Sequence, residues 1–142
     1  MEQERYIATM DLFPQQDKEH NKVYPFYDHL RDGRLTTTKC RACGALKWPP
    51  RTVCPECMSD DLEWVDLGQG GKVEIFTVEE VGIPMGFEKP LIHALVVLDN
   101  SPLTIFSRIV DAVPEQVKEG MRVKLKVMKI PRDRVTFAFK PG

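Results

Sequence analysis

Four cysteines in two close pairs constrain this chain more than any other feature. The sequence reads Cys40-Arg41-Ala42-Cys43-Gly44 and later Cys54-Pro55-Glu56-Cys57. A two-residue gap lets one tight turn aim two sulfurs at a common point. Two such turns supply a tetrahedral set of thiolates, with metal–sulfur distances of about 2.3 Å. Gly44 suits a turn that needs positive φ. The ten residues from Gly44 to Val53 separate the pairs, an interval that a short hairpin through Lys47-Trp48-Pro49-Pro50 can span. The expected occupant is one structural zinc ion per chain, held by Cys40, Cys43, Cys54 and Cys57. Three readings compete with it. Disulfides are disfavoured in a reducing compartment. A redox Cys-x-x-Cys pair would want a βαβ context, which is missing. Iron bound by four thiolates has the same ligand geometry. In either metal reading, four cysteines close the coordination sphere and leave no position for water or substrate. A module this small depends on its metal to fold.

These are all the cysteines of the chain, so none is left over as a nucleophile. Nothing resembles a serine nucleophile elbow, and Gly68-Gln69-Gly70-Gly71-Lys72 lacks the spacing and the hydroxyl residue of a P-loop. Of the three histidines, His20 and His29 read as surface residues. His93 lies in Leu91-Ile92-His93-Ala94-Leu95-Val96, a run apolar on both faces, and reads as a buried, hydrogen-bonded core residue rather than a catalytic base. No catalytic centre is legible.

The totals narrow the class. A length of 142 residues allows one ordinary domain or two very small ones. Twenty basic against 21 acidic residues give a net charge of −1, and a non-specific nucleic-acid binder would carry a clear basic excess. The start MEQERYIATMDLF has neither the basic head nor the apolar core of a signal peptide. No apolar run approaches the roughly 20 residues of a membrane span. A cytoplasmic location is expected.

The organisation reads as three parts: an N-terminal helical segment over 1–38, a rubredoxin-like zinc ribbon over 39–66, and a β domain over 67–142. In the first part Pro25 opens a short helix that runs to about Arg31, with Phe26 and Leu30 on one face and Gly33 to end it. The segment is too poor in apolar residues to hold a core, so it is expected to pack on the rest of the chain or on a partner. Leu62–Val65 is a short strand, and the glycines from Gly68 to Gly71 form a turn. Five strands follow: Val73–Val78, Leu91–Leu98, Thr104–Val110, Arg122–Met128 and Val135–Phe139. A helical turn over Pro114–Lys118 falls between the third and fourth, as in a five-stranded OB-fold barrel. The fold class is thus mainly β.

Two stretches offer ligand contacts. Between Arg122 and Lys140 there are seven basic residues (Arg122, Lys124, Lys126, Lys129, Arg132, Arg134, Lys140) and one acid, Asp133. The alternation of Arg122, Lys124 and Lys126 with apolar residues gathers charge on one strand face. That face is either a solvated, edge-protecting surface or a site for phosphates. The loop Ile83–Pro90 carries Met85 and Phe87 between the first two barrel strands, where OB-folds commonly line a ligand face. Met85, Phe87, Lys124, Lys126 and Arg134 are the candidate ligand residues.

Taken in order, these parts resemble a known family: the helical segment Pro25–Leu35, Cys40–Gly44, Pro49-Pro50-Arg51, Cys54–Cys57, the strand Leu62–Val65 and the glycine-rich Gly68–Val73. The chain is similar to the zinc-ribbon and OB-fold proteins catalogued as domain of unknown function 35, the acyl-CoA-associated OB-fold family. An extra glycine in Gly68-Gln69-Gly70-Gly71-Lys72 departs from that pattern and leaves the start of the first barrel strand open. The resemblance implies a non-catalytic accessory subunit that binds a thiolase-fold partner and helps form or gate a CoA or acyl-CoA site. The five candidate ligand residues would then face CoA. The size and the Phe26-Tyr27-Asp28-His29-Leu30 stretch are similar to members from anaerobic aromatic (toluene) degradation. The alternative is a nucleic-acid-binding module, which would use barrel aromatics together with the basic end.

Overall fold

A computed structural model describes residues 13–142 apart from 85, 86 and 88. Helix α1 spans Tyr24–Arg31, with Pro25 in its first turn. Its Phe26 and Leu30 are buried, and it stops where Gly33, at φ 79°, donates its N–H to the Leu30 carbonyl (2.9 Å). Three strands follow: β1 (Thr36–Cys40), β2 (Leu46–Lys47) and β3 (Leu62–Asp66), in the spatial order β2-β1-β3. β1 was not foreseen as a strand. Its three buried threonines all find partners: Thr36 Oγ1 lies 2.9 Å from His29 Nδ1, Thr37 Oγ1 donates to the Lys47 carbonyl, and Thr38 Oγ1 accepts the Arg51 N–H (2.9 Å).

The barrel strands are β4 (Gly70–Glu79), β5 (Leu91–Leu98), β6 (Thr104–Arg108), β7 (Arg122–Ile130) and β8 (Arg134–Pro141). They form one antiparallel sheet ordered β6-β5-β4-β7-β8. The sheet curls until Ile109 bridges Phe139 in parallel and the Val110 N–H reaches the Phe139 carbonyl (2.8 Å), leaving the barrel nearly closed. A 3₁₀ turn at Pro114–Gln116 fills the connection before β7, and Val117 behind it is buried. This is the expected OB-fold arrangement. The first barrel strand begins at Gly70, earlier than the valine-rich run suggested. Gly71 explains why: a Cβ there would lie 2.7 Å from both Val96 Cγ1 and the Val97 carbonyl oxygen, so only glycine lets β4 approach β5 so closely.

Helix, ribbon and barrel share one core. Phe26 of α1, Trp48 of the ribbon and Phe137 of β8 meet edge to face, with centroids 5.7, 5.9 and 6.2 Å apart. Edge-to-face packing of this kind adds to simple burial. Leu35 and Leu67, at the two junctions between the parts, are 1% exposed. The apolar face of the N-terminal helix is therefore turned to its own chain. Upstream of it, buried Gln16 acts as a substitute strand. Its Nε2 donates to the Val135 carbonyl (2.7 Å) and its Oε1 accepts the Val135 N–H (2.9 Å), so it caps the outer edge of β8 there.

Candidate metal centre and barrel face

The two cysteine turns have the same backbone. In the first, the Cys40 N–H donates to the Ala45 carbonyl (2.9 Å) and the Gly44 N–H to the Cys40 carbonyl (2.9 Å). In the second, the Cys54 N–H donates to the Ser59 carbonyl (2.8 Å) and the Met58 N–H to the Cys54 carbonyl (2.9 Å). The expected positive φ at Gly44 is present (78°), and Met58 takes the corresponding place at 65°.

Between them these turns bring the four sulfurs within 4.8 Å of one another. Cys40 and Cys57 are 3.6 Å apart, as are Cys43 and Cys54. A disulfide needs about 2.05 Å, so these are not disulfides. Four sulfurs at metal distances of about 2.3 Å would be roughly 3.8 Å apart in a tetrahedron, close to what is seen. Cys40 and Cys54 are buried, whereas Cys43 and Cys57 reach the surface. Backbone N–H groups of Cys57 and Glu56 pull the Cys54 thiol down to about 7. The Ser59 N–H also draws on Cys57, but sulfur contacts with Cys40 and burial outweigh it and push that thiol up to about 12. Four sulfurs this close cannot all be anionic without a cation between them. The donor set fits one soft, tetrahedral metal ion.

The ligand residues expected on the barrel fall into two groups. Lys124 and Lys126 lie on β7, with Lys124 opposite Lys140 and Lys126 opposite Ala138. Lys126 bonds Asp111 (2.6 Å) and holds that carboxyl below its usual range. Arg134 opens β8, four residues before Ala138, and is 5% exposed. Its guanidinium donates to the carbonyls of Pro131 (3.0 Å) and Phe13 (2.9 Å). Phe87 stacks on Phe13 at 6.1 Å, and the Arg108 guanidinium sits over the Phe87 ring at 4.7 Å. Phe13 therefore links Phe87 to Arg134, while the two lysines stand apart. Met85 lies outside the described residues.

His93 is placed differently from expectation. It is on the outer face of β5, with its side chain 20% exposed, and its Nδ1 lies 2.6 Å from Glu79 Oε1. The ring stacks on Phe106 of β6 at 4.9 Å and 20°. The alternation of β5 sends Ile92, Ala94 and Val96 inward, and they are buried, which leaves His93 outside. Glu79 was missed as its partner because it is distant in sequence and only the β4–β5 register brings it near. A polar cleft of about 420 Å³ also lies between α1 and the β7–β8 turn, with Lys18, Arg31 and Arg132 among Asp17, Asp28 and Asp133. Its mixed charges do not converge on one reacting position. Among the described residues, no helix is long and apolar enough to cross a membrane.

Comparison with known proteins agrees with this architecture. Residues 28–63 match the ChsH2 rubredoxin-like zinc ribbon domain, and residues 64–127 match the ChsH2 C-terminal OB-fold domain. A DUF35 domain-containing scaffold protein of Pyrococcus furiosus is 37% identical over 112 residues, covering 77% of this chain and 80% of that protein. The chain belongs to the DUF35 family. Another relative of this DUF35 chain is the benzoylsuccinyl-CoA thiolase subunit BbsA of Thauera aromatica, 31% identical over 106 residues and 72% of either chain. Among solved structures, a chain of the Ltp2-ChsH2(DUF35) aldolase superposes with a TM-score of 0.76 at 26% identity, covering 91% of this chain and 98% of that one.

Proposed function

We propose that this chain is a non-catalytic accessory subunit of a thiolase-type acyl-CoA enzyme. It scaffolds a thiolase-fold partner and helps to form or gate the CoA or acyl-CoA site. The observation that carries the reading is the closed four-sulfur cluster. It takes every cysteine of the chain, so the nucleophile of thiolase chemistry must come from another subunit. The kinship with BbsA and with the DUF35 chain of the Ltp2 complex supports a thiolase-type partner. The metal is zinc in a structural role, since a closed tetrahedral thiolate set offers no site for chemistry. The work of the complex is cytoplasmic and its acyl-CoA an aromatic one, as in toluene breakdown, the second point resting on BbsA alone.

The test is reconstitution. The purified chain should turn over no acyl-CoA, and activity should appear when the host's thiolase-fold subunit is added. Steady-state thiolysis by the chain alone would overturn the reading. So would a thiolase-fold subunit that neither binds the chain nor gains activity from it.

A further inference from the structure

Cross-strand register gives the outer face of β4, β5 and β6 three parallel rows. Ile75, Leu95 and Phe106 stand directly opposite one another and form the middle row. Lys72, Val97 and Thr104 flank it on one side, with Thr77, His93 and Arg108 on the other. Directly opposed residues project to the same side of a sheet, so the face has an apolar centre and a polar border. The centre is solvent-facing, with Phe106 64% and Ile75 51% exposed, and Val97 of the flanking row extends it at 37%. His93, held by Glu79 (2.6 Å), backs the Phe106 ring and fixes its orientation.

Among the described residues, the edge beside this face is also unpaired over Thr104–Phe106, ahead of the point where Ile109 bridges Phe139. The Ile109 N–H donates to the Ile92 carbonyl (2.9 Å) and the Leu98 N–H to the Leu103 carbonyl (3.2 Å). In an antiparallel pair the hydrogen-bonded positions alternate, so the backbone groups of Thr104 and Phe106 point away from β5. Among the described residues no strand pairs with them, since β6 ends the sheet order. Thr104–Arg108 contains no proline, no lysine and no bulge, the usual devices that keep an edge from pairing.

We propose that this face and edge, centred on Phe106, are where the thiolase-fold partner docks. The inference rests on the accessory-subunit reading above and names the surface that reading requires. Size selects the occupant. Phe106, Ile75 and Val97 are the large apolar side chains this face exposes, too few for the large, mostly apolar interface that binds two copies of an obligate dimer. They suit the dry centre of a standard heteromeric interface of about 800 Å² per side, with Lys72, Thr77 and Thr104 in the wet rim. The Phe106 ring enters a pocket on the partner, and a stretch of the partner's extended backbone pairs with Thr104 and Phe106.

The experiment uses the full chain and the host's thiolase-fold subunit. Affinity is measured for the wild type, Phe106→Asp, Phe106→Ala and, as a control on the ribbon, Val53→Asp. Circular dichroism confirms that each variant is folded, and amide exchange is followed at Thr104 and Phe106. The expected result is a loss of about 30-fold or more for both Phe106 variants, the scale of an aromatic anchor. Val53→Asp should change affinity by less than about 3-fold. The Thr104 and Phe106 amides should become protected only in the complex. If the wild type binds and Phe106→Asp binds equally well, the docking face is wrong and the accessory role stands. If the wild type binds no thiolase-fold subunit, the accessory role itself falls. A concentration-dependent dimer of the wild type that Phe106→Asp abolishes would overturn the proposal in favour of a second copy. Protection in the isolated chain that disappears when residues 1–12 are removed would overturn it too.

Discussion

Gly44 and Met58 hold the same position in the two halves of the metal centre, each four residues after the first cysteine of its pair. Both have left-handed backbone, at φ 78° and 65°. Nothing lies within 4 Å of where a Cβ on Gly44 would stand, so the demand at this position is purely conformational. Gly44→Ala should cost about 1–2 kcal/mol. Met58→Gly should stabilise by roughly 0.5 kcal/mol, the relief of strain being partly offset by the wider unfolded ensemble of glycine. Thermal unfolding of the metal-loaded variants checks both signs.

Metal loading should release protons. Cys43 and Cys57 both have thiols raised above the ordinary value, by burial and by contact with neighbouring sulfurs, against backbone N–H groups that lower them. Each therefore carries a proton at pH 7 in the metal-free protein and gives it up on coordination. Calorimetry in buffers of different ionisation enthalpy should show at least two protons released per ion. Affinity should fall as pH falls, because protons then compete better for the sulfurs. Cys43→Ser or Cys54→Ser should give insoluble or metal-free protein. Elemental analysis should return about one zinc per chain, and iron in its place would refute the zinc assignment.

The Phe26–Trp48–Phe137 junction predicts a single unfolding event. Phe26→Ala should destabilise the whole chain by about 3–4 kcal/mol. Far-UV dichroism, which reports the barrel strands, and Trp48 fluorescence in a Trp64→Phe background should still move together. Two separated transitions would show that ribbon and barrel are energetically independent.

The cations proposed for CoA should behave unequally. Lys124→Ala should weaken CoA binding by the assembled complex by about 1 kcal/mol if it meets a phosphate, with little effect on stability. Arg134→Ala removes a buried guanidinium and frees two carbonyls, so it should destabilise the fold as well as any site. Single-stranded oligonucleotides should bind weakly at physiological salt, because Arg122 and Lys126 are already paired with Asp99 and Asp111. Tight binding with a steep salt slope would favour the nucleic-acid alternative.

The sequence made the local features legible and left the long-range ones hidden. Cysteine spacing located the metal centre, and Pro25 with Gly33 bounded α1 closely. Strand alternation exposed all five barrel strands, because each is read within a few residues. Glu79 and His93 could not be paired in the same way. A register shift between Val73 and Ile75 decides which side of β4 faces the His93 row, and nothing local announces it. The meeting of Phe26, Trp48 and Phe137 joins residues of three separate segments, and only the folded chain brings them together. Met58 was missed for a different reason: its left-handed backbone is imposed by the turn rather than preferred by the residue.

Gln16 has a further consequence for how such a chain can assemble. A curled sheet has two margins, and either could recruit another copy. Here the side-chain amide of Gln16 seals one margin at Val135, and the Ile109–Val110 crossing occupies it at Phe139. Among the described residues, the β6 margin is the one this barrel sheet leaves unpaired, over Thr104–Phe106. Once that margin is filled, whether by another protein or by the β6 of a second copy, the sheet has no further margin from which to grow. The molecule is built as an end piece, able to terminate a sheet contact with another protein but unable to propagate one into a fibre.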